Sequence, residues 1–539
     1  MFLLKSLPKI IFNTYCIGEK EINQAKHLNC KALICYLKNF SLLLSVLARF
    51  FFDKNSKILF NLSSKIKNIK MNRKIYLVVL LLSVTLFAGA QYTNYFTDAT
   101  MRLDYFHTGN SSEEHFAFDQ MVNDGQWAGS KTTLIDELRL GKYFFEVKDP
   151  ETKEVLYSRG FSSIYGEWET TPEADNEWGV MHESVRFPWP KSNVEVTVLK
   201  RNRLNGFDPV WTYTVNPNHY RSFTAEVKNH YNTFDVVVNG KPEKQVDIVV
   251  LGEGYAKKDM AKFHKDAKRF AEVLLSTEPY ASQKDKFSIR AVETPSPSSG
   301  VNHPHQDIHT RSALSVTYGA FDSERYALGF DNKTIRNAAA AVPYEFTAIL
   351  MNDSIYGGGG IYNLYITAAV DNAFQEYLFV HEFGHHFADL ADEYYTSATA
   401  YEMDAEHLEP WELNVTANAD PKTIKWKDIV TPGTPIPTPW DKEKYDVHSI
   451  ATQKKRTEMR KAKVAEKVME DFFIKKRTWD NELLSNMKYS NNVGAFEGAQ
   501  YKAKGLYRSA ANCIMFTRHN QFCPACQRAI KLIIDQNAK

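Results

Sequence analysis

The chain has 539 residues, 44% apolar and 13% aromatic, enough to bury more than one core, so it is expected to be multidomain. Its formal net charge of +2 shows no polyelectrolyte bias, so a nucleic-acid partner is not expected. Residues 1–70, rich in Lys, Asn, Ile, Leu and Phe without periodicity, precede a second methionine, Met71, and read as an overextended start rather than a domain. Residues 71–90 carry Arg73 and Lys74, an apolar run and then Ala88-Gly89-Ala90, the pattern of a signal peptide; a secreted or periplasmic protein is the expectation. A membrane segment at 33–52 is the weaker reading, because Lys38, Asn39 and Arg49 interrupt it and each charge costs about 3 kcal/mol at a bilayer centre. No stable membrane anchor is expected.

Residues 91–220 hold short β-prone runs (TMRLDYFHTG, KYFFEVKDP, VLYSRGF, VRFPWP, VEVTVLKRN, VWTYTVNP) separated by Gly, Pro, Asn and Asp, which predicts an all-β sandwich, jelly-roll-like and accessory in role. Trp127, Trp168, Trp178 and Trp189 are expected in its core rather than as a carbohydrate platform. From residue 221 the pattern turns α/β (α+β). A buried strand at 246–251 leads through Gly252-Glu253-Gly254, a β-to-α turn, into a helix with Met260, Phe263, Ala267, Phe270 and Leu274 on one face, and then to a strand at 287–292. His303, His305 and His309 lie in a polar loop and are read as solvated rather than as a second metal site. Strands at 346–351 and 361–368 flank a glycine loop ending in Gly357 to Gly360, and either could border a substrate cleft.

The most informative residues come next in the chain. His381, Glu382, Phe383, Gly384 and His385 form an H-E-x-x-H run on a segment whose Phe374, Tyr377, Leu378 and Phe383 fall at helical spacing. On a helix the two histidines lie one turn apart on one face and can reach one Zn2+ ion, with Glu382 placed as general base. Zinc sites of this type take a third protein ligand, and Asp389, Asp392 and Glu393 offer carboxylates, whereas His386 points off the ligand face. Between 386 and 515, a Pro-rich stretch (TPGTPIPTPW) and a charged segment at 454–476 are expected to shape the substrate side. The charged segment reads as a helix with Val464, Val468 and Phe472 inward.

HEFGHHFADLADEYY, together with VVLGEGYAKKDM, SPSSGVNHP, GAFEGAQY and NCIMF followed by FCPAC, resembles the IgA-peptidase family of secreted zinc metallopeptidases, of the metzincin-like group, over residues 221–539. The resemblance implies a metzincin-like zinc peptidase domain. In metzincins the helix ends at a glycine and the third ligand comes three residues later; Asp389 stands at that turn and Asp392 at the ligand position, with Glu393 the alternative. It also implies that Met515 is the methionine of a turn forming the floor of the site.

Of the six cysteines, Cys513, Cys523 and Cys526 lie in the expected mature chain; one disulfide joining Cys513 to Cys523 or Cys526 is the simplest account, and a structural zinc held by the three with His519 is the sharper one. The expected activity is a zinc-dependent endopeptidase that hydrolyses peptide bonds with metal-activated water, acting on a peptide or protein substrate such as a host glycoprotein or immunoglobulin. Tyr394, Tyr395, Tyr501 and His519 are candidate oxyanion donors. The rival readings are a catalytically silent secreted glycoprotein- or carbohydrate-binding protein, against which an intact Glu382 speaks, and a zinc amidase.

Overall fold

The computed structural model describes residues 92–224, 230–396 and 409–538. The expected leader at 1–70, the expected signal peptide at 71–90 and Cys16, Cys30 and Cys35 lie outside the described residues. Among the described residues no helix is long and apolar enough to cross a membrane.

The N-terminal region is β-rich. Its strands are β1 (Phe96–Gly109), β2 (Glu114–Gln126), β3 (Tyr143–Lys148), β4 (Val155–Phe161), β5 (Gly179–Pro190), β6 (Val194–Arg201), β7 (Phe207–Val215) and β8 (Ser222–Thr224). They form two four-stranded sheets, ordered β5-β1-β2-β8 and β4-β3-β6-β7. Met101, Leu103 and Tyr105 of β1 share one core with Phe145 and Val147 of β3 and with Val196 and Val198 of β6, the inward half of a period-two alternation. Short connections keep β1 beside β2, β3 beside β4 and β6 beside β7. The order is therefore one of paired hairpins, not the sheet-to-sheet alternation expected of a jelly roll. Trp127 and Trp168 are core residues, but Trp178 is 55% exposed and stacks on His115, contrary to the expectation for it.

The second region is mixed α/β. Strands β9 (Thr233–Val237), β10 (Val246–Glu253) and β11 (Phe287–Val292) are followed by the small hairpin β12 (Val316–Tyr318) and β13 (Ala327–Gly329), then by β14 (Phe346–Met351), β15 (Gly358–Ile361) and β16 (Tyr365–Ala369). The main sheet has the order β15-β16-β14-β10-β11-β9, parallel through β16, β14, β10 and β11, with antiparallel strands at both edges. Helix α1 (Met260–Ser276) buries Phe263, Ala267, Phe270 and Leu274 as the periodicity predicts. The short helix α2 (Asn332–Ala339) precedes β14, and α3 (Gln375–Ala388) carries the H-E-x-x-H run.

The glycine segment expected as a loop is itself the edge strand β15. Residues without side chains are required there because β15 lies against α3: a Cβ on Gly360 would sit 2.3 Å from the Glu382 carbonyl oxygen, and one on Gly359 would sit 2.6 Å from the Tyr326 ring.

Beyond α3 come helices α4 (Lys442–Lys461) and α5 (Glu466–Ser485), the three-stranded sheet of β17 (Val415–Thr416), β18 (Phe496–Ala499) and β19 (Lys502–Arg508), and the final helix α6 (Pro524–Asn537). The inward stripe of α5 is Met469, Phe473, Asp480 and Leu484, with Met469 and Phe473 packed on Phe374 at the start of α3. Val468 is displaced by one position from that stripe and is 49% exposed, which corrects its expected inward placement. Val464 and Phe472 are only partly buried.

Candidate metal centre and cleft

Helix α3 puts His381 and His385 one turn apart, their Nε2 atoms separated by 3.2 Å. The helix ends where Asp389 adopts the left-handed conformation, φ 49° and ψ 42°. Its carboxylate turns away from the histidines and accepts from the Gly141 amide of the β-rich region (2.6 Å) and from the Trp411 indole (2.9 Å). Asp389 is thus a clasp between the two regions rather than a member of the histidine cluster. The reversed chain brings Asp392 Oδ1 to 3.1 Å from His381 Nε2 and 3.2 Å from His385 Nε2.

The hydrogen bonds fix the tautomers. His381 Nδ1–H donates to the Ile514 carbonyl (3.1 Å) and His385 Nδ1–H to the Leu390 carbonyl. Each Nε2 is therefore the ring nitrogen left over, and both converge on Asp392 Oδ1, to which no hydrogen-bond donor is otherwise assigned. With both imidazoles neutral these are three acceptors at one buried point, an arrangement that draws positive charge, a proton or a metal ion, between them. The field has the same sense. Burial works against charge on His385, but the Asp392 carboxylate pushes its imidazole up to about 9; burial would raise Asp392, and His385 with His381 instead holds it well below the usual carboxylate range.

Glu382, next to the first histidine, is half-buried and lines the cleft. Burial pushes its carboxyl above the usual glutamate range, opposed by His381, His385 and Arg325 and aided by Asp392, an environment suited to taking up a proton. Met515 lies beneath the cluster: a Cβ on Gly384 would meet its sulfur at 3.2 Å, so the glycine between the histidines admits the floor of the site. The same turn supplies the Ile514 carbonyl to His381 and the Met515 carbonyl to the amide of Glu393 (2.7 Å).

Glu393, the alternative third ligand, faces elsewhere. Its carboxylate joins Cys513, Cys523 and Cys526 in a separate buried group. The three cysteines are free, so the expected disulfide is absent, and the fourth member of their group is Glu393 and not His519. His386, expected off the ligand face, is fully buried, with Nδ1–H donating to the Ile361 carbonyl (2.9 Å) and Nε2 accepting from the Thr347 amide (3.2 Å); burial holds its imidazole down at about 3, and it pins α3 to the sheet. The loop histidines do not gather. His303 is buried, against expectation, and bonds Asp353, while His305 and His309 pair with Asp322 and Asp307.

A cavity of about 150 Å³ lies over the histidine cluster, walled by Gly358 and Gly360 of β15, Tyr394, Tyr501, and residues of α4 and α5 such as Gln453 and Arg456. On the other side of His385 and Asp392 a cavity of about 630 Å³ is lined by Glu167, Glu169 and Lys200 of the β-rich region. Tyr501 O–H donates to Asp392 Oδ2. Tyr395 instead donates to Asp446 (2.6 Å), and neither it nor His519 lines the cleft. Sequence reasoning missed Arg325, a cleft cation facing Glu382, and Tyr326, whose hydroxyl bonds Glu167 across the two regions; no spacing in the chain marks either.

No curated protein matches the chain. A family profile described as IgA peptidase M64 matches residues 235–534, and one described as the peptidase M64 N-terminus matches residues 91–212. Together they cover most of the chain beyond residue 90, and the chain belongs to the IgA peptidase M64 family of metallopeptidases.

Proposed function

We propose that the protein is a secreted zinc endopeptidase with a metzincin-like centre, in which His381, His385 and Asp392 hold the ion and Glu382 is the general base. The observation that carries this reading is the convergence of His381 Nε2, His385 Nε2 and Asp392 Oδ1, with the Nδ1 of each histidine already committed to a backbone carbonyl. Their separations of 3.1 to 3.2 Å are a few tenths of an ångström inside the edges of about 3.3–3.6 Å that bonds of about 2.0–2.2 Å in a tetrahedron give, close enough for zinc to be held by small side-chain adjustments. When bound, zinc supplies Lewis acidity toward a water and the scissile carbonyl.

The protein's own groups do the rest. Glu382 takes the proton of the attacking water and delivers it to the leaving amine. The Gly358 amide donates to the Arg325 carbonyl, so by strand alternation the amide and carbonyl of Gly360 point the same way, into the cleft, and can pair with an extended peptide. Tyr394 and Arg325 are the donors available to a developing oxyanion, since the Tyr501 hydroxyl is committed to Asp392. Substrates are peptides or proteins met outside the cell, host glycoprotein or immunoglobulin A among them.

The test is metal content together with mass-spectrometric cleavage of a mixed peptide library and of immunoglobulin A, for the protein and for Glu382→Gln. Zinc in both with cleavage only by the unmutated protein is the expected result. Zinc without cleavage would favour the silent-binder or amidase reading, and absence of zinc would overturn the ligand assignment.

A further inference from the structure

The three cysteines and Glu393 remain outside the mechanism, and all four are buried, with one ligand atom from each lying within 4.8 Å of the others. Their spacing is not that of idle thiols. Cys513 Sγ and Cys526 Sγ are 3.7 Å apart, and Glu393 Oε1 is 3.5 Å from Cys523 Sγ and 3.3 Å from Cys526 Sγ. A tetrahedral zinc with Zn–S bonds of about 2.3 Å and a Zn–O bond of about 2.0 Å sets S···S at about 3.8 Å and S···O at about 3.5 Å. A disulfide would require about 2.05 Å, far inside the observed separation.

The surroundings suit thiolates. The amides of Met515 (3.4 Å) and Cys523 (3.2 Å) both point at Cys513 Sγ, and Ser509 Oγ is 3.1 Å from Cys523 Sγ. Cys523 and Cys526 form a C-x-x-C pair at the start of α6, where the helix dipole favours negative charge. Glu393 Oε1 accepts from Asn414 (3.2 Å), which orients the carboxylate, while Oε2 has no partner although it is buried. The buried guanidinium of Arg508, which donates to the Gly498 carbonyl (2.7 Å), offers a countercharge close by.

We propose that Cys513, Cys523, Cys526 and Glu393 form a second, structural zinc site, closed by three thiolates and one carboxylate with no position open to substrate. Binding displaces the thiol protons and joins three segments: the strand-like stretch carrying Asp392 and Glu393, the Met515 turn and helix α6. Asp392 and Glu393 are adjacent, so the second ion anchors the chain on the opposite side from the first cluster.

Zinc per chain, measured by mass spectrometry of the purified protein and its variants, tests this independently of the catalytic reading. The unmutated protein is expected to hold two equivalents, His381→Ala/His385→Ala one, and Cys523→Ser one. Failure of the catalytic assignment alone would leave the double-histidine variant at the wild-type content; failure of the cysteine site would leave it with none. Where a variant does not fold, zinc-edge X-ray absorption of the unmutated protein decides: sulfur neighbours at about 2.3 Å support the site, whereas a shell of nitrogen and oxygen alone overturns it. An intact mass lower by two hydrogens, showing a disulfide among the three, also overturns it.

Discussion

Gly360→Ala tests whether the edge strand and the motif helix are fitted to one another. The added Cβ would lie 2.3 Å from the Glu382 carbonyl oxygen, 3.0 Å from its carbon and 3.2 Å from its Cα, all backbone atoms that no rotamer change can move. Ordinary contact needs about 3.5–4.0 Å, so β15 and α3 must separate by about 1 Å. Overpacking of this kind costs about 1–3 kcal/mol, a fall of about 1–5 °C in melting temperature for a region of this size. The larger effect is expected on catalysis, since displacement of substrate by about 1 Å from the base costs about 100-fold in rate. His381, His385 and Asp392 do not lie on β15, so zinc content should be unchanged. Steady-state cleavage of a fluorogenic peptide, melting by calorimetry and metal analysis of the same preparation read the three quantities. Unchanged kcat/KM would refute the claim that β15 aligns substrate against Glu382, and lost zinc would show that the strand shapes the ligands instead.

Tyr501→Phe removes the hydroxyl that donates to Asp392 Oδ2 and should weaken zinc binding about 10–100-fold in chelator competition without unfolding the protein. Asp389→Gly relieves a left-handed residue but leaves the Gly141 amide and the Trp411 indole without their acceptor; a net loss of about 1–2 kcal/mol is expected in chemical denaturation, and a gain would deny the clasp. In the β-rich region, burial works upward on Glu114 but His107 and Lys200 hold it down to about 2, against an ordinary value near 4.5, so it contributes up to about 3 kcal/mol that is fully present above about pH 4.5 and lost as pH falls toward 2. Glu114→Gln should flatten the acid limb of the melting-temperature profile over that window, and an unaltered limb would count against the ion pair.

How much of the site can be read from the chain depends on the range of the forces involved. His381, Glu382 and His385 are legible because one helical turn fixes their relation, and the left-handed Asp389 because its turn is local. The glycines of β15 read as a loop because glycine has poor strand propensity; what makes them a strand is the approach of α3, which no local pattern announces. Val468 escapes the periodicity because a charged helix with few apolar residues leaves its buried stripe to be chosen by Phe374, about a hundred residues away.

The choice between Asp392 and Glu393 shows most clearly why the remainder is hidden. Adjacent residues in an extended segment point to opposite sides, so one of the two carboxylates has to face the histidines and the other has to face away. The register that decides comes from elsewhere in the chain: Gln500 N–H donates to the Asp392 carbonyl (3.0 Å), Tyr501 N–H to the Tyr394 carbonyl (3.0 Å), and Glu393 N–H to the Met515 carbonyl (2.7 Å). A shift of one residue would exchange the two side chains, presenting Glu393 to the histidines and Asp392 to the cysteines. Two clusters on opposite sides of this segment each oppose that shift, because each is complete only with the carboxylate it now holds. A zinc ion held by the cysteine cluster would then do more than staple the C-terminal helix: it would fix which carboxylate the first cluster receives. Its removal should therefore lower the affinity of the histidine site although no ligand of that site has been altered.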